Sequence, residues 1–214
     1  LTDEPALLAR AIKLVQSLTD LPICIDSSVI EALDAGLAVY EGKALVNSMT
    51  GEDERMDIIL PLVKKYDAAI LALPNDEIEI PMLAKDRMVI VEKIVRRVEK
   101  EGISLDNLLI DPLAMPVGAD PENVKHTLET IYLIKEKYGL NMSIGASNVS
   151  FGLPNRHALN SAFMPMAMSM GLTSAIMDGR TPEVVQAVRA ADLLLGLDQW
   201  GANWISNFRA NKEA

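Results

Sequence analysis

The chain has 214 residues, half of them hydrophobic and 23% charged, with a formal net charge of −10. The length fits one domain over residues 1–214, and the negative charge argues against nucleic acid, whose phosphates are bound by clustered Lys and Arg. The single cysteine, Cys24, excludes an internal disulfide and favours cytoplasmic residence. No apolar run approaches the roughly 18 residues of a membrane span, and the first residues lack the pattern of a signal peptide.

Short apolar runs alternate with amphipathic stretches along the chain, which starts on a predicted helix over 5–18. Runs this short, bounded by turn residues and separated by helices, are typical of buried parallel strands. They predict six strands, over 21–28, 44–48, 68–74, 108–112, 142–148 and 173–178.

Polar residues and glycines predict where the helices begin and end. Asp86 is predicted to cap the stretch 88–100. Asp120 is predicted as the N-cap of a helix with Pro121 at its first position, and Gly139 stops that helix. Thr181–Pro182 repeats the N-cap and proline pattern before the last long amphipathic stretch.

Strands alternating with helices predict an α/β fold. A doubly wound dinucleotide-binding fold needs a glycine-rich turn after its first strand, whereas here that strand ends in I-D-S-S. A (β/α)8 TIM barrel fits better, although about six strands are found where a closed barrel has eight.

Four predicted strands end in a carboxylate or carboxamide, namely Asp26, Asn47, Asp111 and Asn148. In a barrel the C-terminal strand ends meet at one mouth, so these side chains are expected to converge there. For each residue taken singly, capping of the next helix or a turn is the alternative.

These four side chains, called the row below, suit a neutral heterocycle. Carboxylates only accept hydrogen bonds and amides both accept and donate, which matches the edge of a 2-amino-4-oxo-pyrimidine. No Lys, Arg or His stands at these strand ends, and His126 and His157 are expected to be structural or exposed. No metal site is predicted, with Mg²⁺ on the oxygen ligands as a minor alternative.

The segments I-D-S-S, V-N-S, I-D-P-L and G-A-S-N-V-S-F-G-L-P-N-R, in this order, resemble the pterin-binding methyltransferases. These include methyltetrahydrofolate:corrinoid/iron–sulfur protein methyltransferase and the folate domain of cobalamin-dependent methionine synthase, with dihydropteroate synthase more distant. The resemblance implies a dihydropteroate synthase-like TIM barrel of which the first two or so βα units are missing from this chain.

The resemblance also implies roles for single residues. Asn148 would be the catalytic residue, beside the N5 nitrogen of the folate and its methyl group. The residues implied in pterin binding are Asp26, Asn47, Asp111, Gly145, Ser147 and Arg156.

The implied substrates are methyltetrahydrofolate or tetrahydrofolate and a cobalamin held by a separate corrinoid protein, because the chain has no D-x-H-x-x-G motif. The resemblance further implies a homodimer. The terminal Trp200 and Trp204 are expected to dock on the barrel, with a dimer contact as the alternative.

Three other functions stay open. Dihydropteroate synthase shares the pterin pocket, but its late-strand Lys is absent here. A phosphate-binding barrel aldolase or isomerase is compatible with the G-A-S and D-G-R loops, and a non-catalytic folate-binding module is the third. The residues do not indicate the direction of methyl transfer.

Overall fold

Six parallel strands form one sheet in the computed structural model, which describes residues 3–78 and 80–213. Each strand pairs with its neighbours in the chain, so the sheet order is β1 to β6. The strands are β1 (Cys24–Asp26), β2 (Leu45–Thr50), β3 (Ala69–Leu73), β4 (Leu108–Ile110), β5 (Asn141–Gly145) and β6 (Ser174–Ile176).

A helix follows every strand, which confirms the predicted α/β alternation. The α-helices are α1 (Glu4–Gln16), α2 (Ile30–Val39), α3 (Asp53–Lys65), α4 (Ala84–Lys100), α5 (Asn123–Tyr138), α6 (Arg156–Met170), α7 (Pro182–Leu194) and α8 (Ala202–Glu213). Three 3₁₀ turns, Leu105–Asn107, Ala146–Ser150 and Gln199–Gly201, complete the described elements. Within the described residues, no helix is both long and apolar enough to cross a bilayer.

The core lies between the sheet and the helices. The middle of β3 is fully buried, as a parallel strand covered on both faces requires. On α4, Ile90, Ile94 and Val98 recur at helical spacing and turn one face of the helix to the core. Burying each such side chain contributes about 1.5–3 kcal/mol, which fixes the helix on the sheet.

Two of the predicted helix starts are wrong. The helix α5 begins at Asn123, because the Asp120 carboxylate instead accepts the Glu122 amide at 2.8 Å and forms a turn ahead of the helix. Asp86 lies inside the first turn of α4 rather than at its cap. The stop at Gly139, in left-handed conformation, is confirmed.

Two predicted site residues do not lie at the strand ends where they were predicted. Asn47 lies within β2, just before a register shift against β3, rather than at the strand end. The strand β5 stops at Gly145, and Asn148 lies three residues later in the 3₁₀ turn Ala146–Ser150.

The two terminal tryptophans differ in exposure. Trp204 is half-buried and its backbone amide donates to Asp198 at 2.9 Å. Trp200 is 97% exposed, so its predicted docking on the barrel is wrong for the described chain.

Candidate active site

Asp26 and Asn47 lie side by side at one edge of the sheet. The parallel register places them opposite each other on β1 and β2, and Asn47 Nδ2 donates to Asp26 Oδ2 at 3.2 Å. Asp26 is exposed and Asn47 half-buried, so both present polar atoms to an incoming molecule. Together they offer carboxylate acceptors and an amide that both donates and accepts.

Asp111 follows β4 and is held by backbone groups on both sides. Its own amide donates to the Ala72 carbonyl of β3 at 2.9 Å, and its carboxylate accepts the Leu113 amide at 2.8 Å. Burial raises the pKa of Asp111 to about 6, while hydrogen bonds from the amides of Leu113 and Gly145 and the charge of Arg87 oppose the rise.

Leu113 is the strained residue of this loop. Its φ of 62° is a left-handed conformation that side chains other than Gly rarely adopt, at a cost of about 1–2 kcal/mol. The Leu113 carbonyl accepts from Arg87 Nη1 and from Thr127 Oγ1, each at 2.9 Å. These bonds, with the amide bond to Asp111, hold the strained turn that places the carboxylate.

Arg87 is fully buried, and sequence reasoning missed it. Besides Leu113, it donates to the carbonyls of Pro81 at 2.9 Å and Pro112 at 2.8 Å. Its Nη2 has no partner within the described residues, and burial lowers the pKa of the guanidinium to about 10. The available signal was its position on the apolar face of α4, three residues before Ile90.

Gly145 and Asn148 form the next part of the row. A Cβ placed on Gly145 would lie 2.9 Å from Asn148 Nδ2, so the absence of a side chain leaves the space that the amide occupies. Asn148 itself is exposed. The glycine therefore determines where the Asn148 amide sits.

Arg156 fastens the turn that carries Asn148. Its Nη2 donates to the Ser147 carbonyl at 2.7 Å, its Nε donates to Ser150 Oγ at 3.1 Å, and its guanidinium lies 5.9 Å from the Phe151 ring centroid. Arg156 and Ser147 also line a cavity of about 190 Å³ between this turn, α6, the loop after β6 and the start of α7.

The predicted site residues thus fall into three contacting groups. Asp26 pairs with Asn47, Asp111 reaches Gly145 and through it Asn148, and Ser147 pairs with Arg156. The cavity beside Arg156 is not lined by the first group or by Asp111. No cluster of three or more His, Cys, Asp or Glu suited to a metal occurs in residues 3–78 and 80–213.

The chain resembles known proteins in both sequence and fold. The model of the pterin binding enzyme family matches residues 2–178, which is most of the chain, and the chain belongs to that family. Dihydropteroate synthases of Yersinia pestis and Coxiella burnetii share its fold, with TM-scores of 0.71 and 0.66. The Yersinia structure is 15% identical in sequence, and the match covers 92% of this chain and 79% of that structure. The Coxiella structure is 18% identical, and the match covers 89% of this chain and 73% of that structure.

Two curated relatives are more similar in sequence. The methylcorrinoid:tetrahydrofolate methyltransferase of Eubacterium limosum is 32% identical over 202 residues, covering 93% of this chain and 74% of that protein. The methionine synthase of Mycobacterium tuberculosis is 32% identical over 181 residues, covering 78% of this chain and 15% of that much longer protein. The dihydropteroate synthase structures, at under 25% identity, support the fold alone.

Proposed function

We propose that this chain is a methyltransferase that moves a methyl group between N5 of methyltetrahydrofolate and the cobalt of a corrinoid carried by a partner protein. The observation that carries the proposal is the 32% identity to the methylcorrinoid:tetrahydrofolate methyltransferase across 93% of the chain. A single pterin-binding domain over 1–214 is part of the proposal.

The pterin is bound by Asp26, Asn47 and Asp111. Because β3 lies between β2 and β4, Asn47 and Asp111 stand two strand spacings apart, about 10 Å across the sheet. A flat bicyclic ring with polar atoms along its edges spans such a gap. The ionised Asp111 accepts the exocyclic amino group and the adjacent ring N–H, while the Asp26–Asn47 pair supplies acceptors and a donor at the other end.

Asn148 acts on the reacting nitrogen. Transfer of the methyl group leaves an electron pair on N5, and a hydrogen bond to N5 stabilises that charge more in the transition state than in the ground state. An amide cannot supply a proton at neutral pH, so the proton that finally reaches N5 comes from water. Gly145 and Arg156 support this role, because both fix the turn that holds the Asn148 amide.

The nucleophile in folate demethylation is the reduced corrinoid of a partner protein, and the same site runs the reverse transfer when a methylated corrinoid meets tetrahydrofolate. The exposed position of Asn148 supports access from outside.

Homodimer formation and cytoplasmic residence complete the proposal. An apolar patch at the end of the chain supports the dimer: Leu194 is 85% exposed, Leu197 69% and Trp200 97%. Exposed apolar side chains this close together in the sequence suit a protein interface. The single cysteine supports a reducing compartment.

The decisive experiment mixes the chain with methyltetrahydrofolate and a reduced corrinoid protein without oxygen, and follows the corrinoid absorbance by stopped flow. Catalysed methylation of cobalt is expected, with Asn148→Ala as the matched control. If the chain binds folate but transfers no methyl group to any of a panel of corrinoid proteins, it is a non-catalytic folate-binding module. In a separate mixture of the chain with a pterin pyrophosphate and p-aminobenzoate, formation of a pterin–p-aminobenzoate product would assign the chain to dihydropteroate synthase chemistry.

A further inference from the structure

We infer that Arg87, which lies outside the pterin site, is a positioning residue that holds the Asp111 carboxylate in place and keeps it ionised for pterin binding. The inference rests on the proposed function, because it gives Asp111 a task that only its charged form performs. Three observations support it, namely the carbonyls that Arg87 ties together, its complete burial, and the charges around Asp111.

Arg87 joins two loops at the carboxyl edge of the sheet. Its Nε bonds the Pro81 carbonyl in the β3–α4 loop, and its Nη1 bonds both Pro112 and Leu113 in the loop after β4. The planar guanidinium presents its donors in a fixed fork, so the three carbonyls are fixed relative to each other. Since the Leu113 amide bonds Asp111, this fork also sets the direction of the carboxylate.

The guanidinium of Arg87 is buried as a cation, away from water. It is 0% exposed, and burying a cation is costly unless another group compensates the charge. A buried charge is retained where another charge compensates it. The Nη2 group is buried and has no hydrogen-bond partner among the described residues, so its share of the positive charge is not neutralised by a direct contact.

Asp111 supplies the opposite charge. Among the described residues, the charged group that acts on Asp111 is Arg87 on α4. The other neighbouring elements present neutral groups: the Ala72 carbonyl on β3, the Gly145 amide on β5 and, one bond further away, the Thr127 hydroxyl on α5. Loss of the guanidinium charge therefore raises the pH at which Asp111 ionises.

The test measures methyltetrahydrofolate affinity by calorimetry from pH 5 to pH 8 in four proteins. They are the wild type, Arg87→Gln, Arg87→Lys and Thr127→Val. The Gln side chain keeps two N–H donors for the carbonyls but loses the third donor and the charge, whereas Lys keeps the charge but loses the planar fork. Thr127→Val removes a bond to the same Leu113 carbonyl without any change of charge.

In Arg87→Gln the midpoint of the pH dependence is expected to rise by about one unit. This change in ionisation alone lowers affinity about two-fold at pH 7 and close to ten-fold at pH 5 relative to wild type. Arg87→Lys and Thr127→Val are expected to weaken binding at all pH values while keeping the wild-type midpoint. Ionisation of the folate itself is common to the four proteins and cancels in their ratios.

An unchanged midpoint in Arg87→Gln, or an equal shift in Thr127→Val, overturns the inference. If Arg87→Gln is unfolded at pH 8, the inference requires that it fold at pH 5 or when combined with Asp111→Asn, since either change removes the uncompensated carboxylate. A chain that stays unfolded under both conditions assigns Arg87 to packing and overturns the inference. Absence of folate binding in the wild type refutes the proposed function instead.

Discussion

Replacing Asp111 by Asn should remove a pH-dependent part of the stability of the chain. The folded-state pKa of about 6 lies above the ordinary value of 3.8, so the folded state binds the proton more tightly than the unfolded state does. Stability from this group is fully present below about pH 4, is lost as the pH rises towards 6, and is constant above that. The whole loss corresponds to about 3 kcal/mol, of which about half is already lost at pH 5.

The assay is urea unfolding of wild type and Asp111→Asn at pH 5.0 and pH 7.5, without folate. Other titrating groups act equally on both proteins, so the pH dependence of their difference reports Asp111 alone. The variant should gain about 1.4 kcal/mol relative to wild type between the two pH values. A difference that stays constant, or that moves towards wild type, would refute the claim that desolvation dominates at Asp111.

Three further predictions concern the row and the apolar patch. Asn148→Ala should lower the single-turnover methyl-transfer rate about 10²-fold and weaken folate binding only modestly. Equal stopped-flow rates in the variant and the wild type would contradict the proposed role of Asn148 at N5. Gly145→Ala should slow transfer at least about 10-fold because its Cβ meets Asn148 Nδ2 at 2.9 Å, whereas Gly179→Ala, with open space around it, should not. Trp200→Glu should shift a sedimenting dimer to monomer, and an unchanged sedimentation coefficient would place any dimer contact elsewhere.

The sheet was predictable because its strands are apolar runs separated by helices, but the ends of the strands were not. In β5, the run from Met142 continues through Gly145 into A-S-N, and no residue marks the point where extended backbone becomes a 3₁₀ turn. In α5, both Asp120 and Glu122 are compatible with a cap, and the choice depends on which amide the Asp120 carboxylate reaches.

In the candidate site, Asp26 and Asp111 lie at strand ends as the apolar runs before them predict, whereas Asn47 lies within β2 and Asn148 in the turn after β5. The pairing of Asp26 with Asn47 follows from parallel register. Arg87 was not predicted, because its partners are backbone carbonyls of Pro81, Pro112 and Leu113, which carry no side-chain signature in sequence. A charged residue on an apolar helix face is the only trace that such a network leaves in a single sequence.

The pairing of each strand with its neighbours in the chain has a consequence for how the site is assembled. Each pairing joins strands that follow one another in the chain, so the loop closed by each successive βα unit is short and its entropy cost is low. The Asp26–Asn47 pair forms as soon as β1 and β2 meet, whereas Asp111 gains its Gly145 bond only after β5 has joined. The carboxylate–amide pair of Asp26 and Asn47 therefore depends on the first two strands alone, whereas the surroundings of Asp111 depend on β3, β4 and β5.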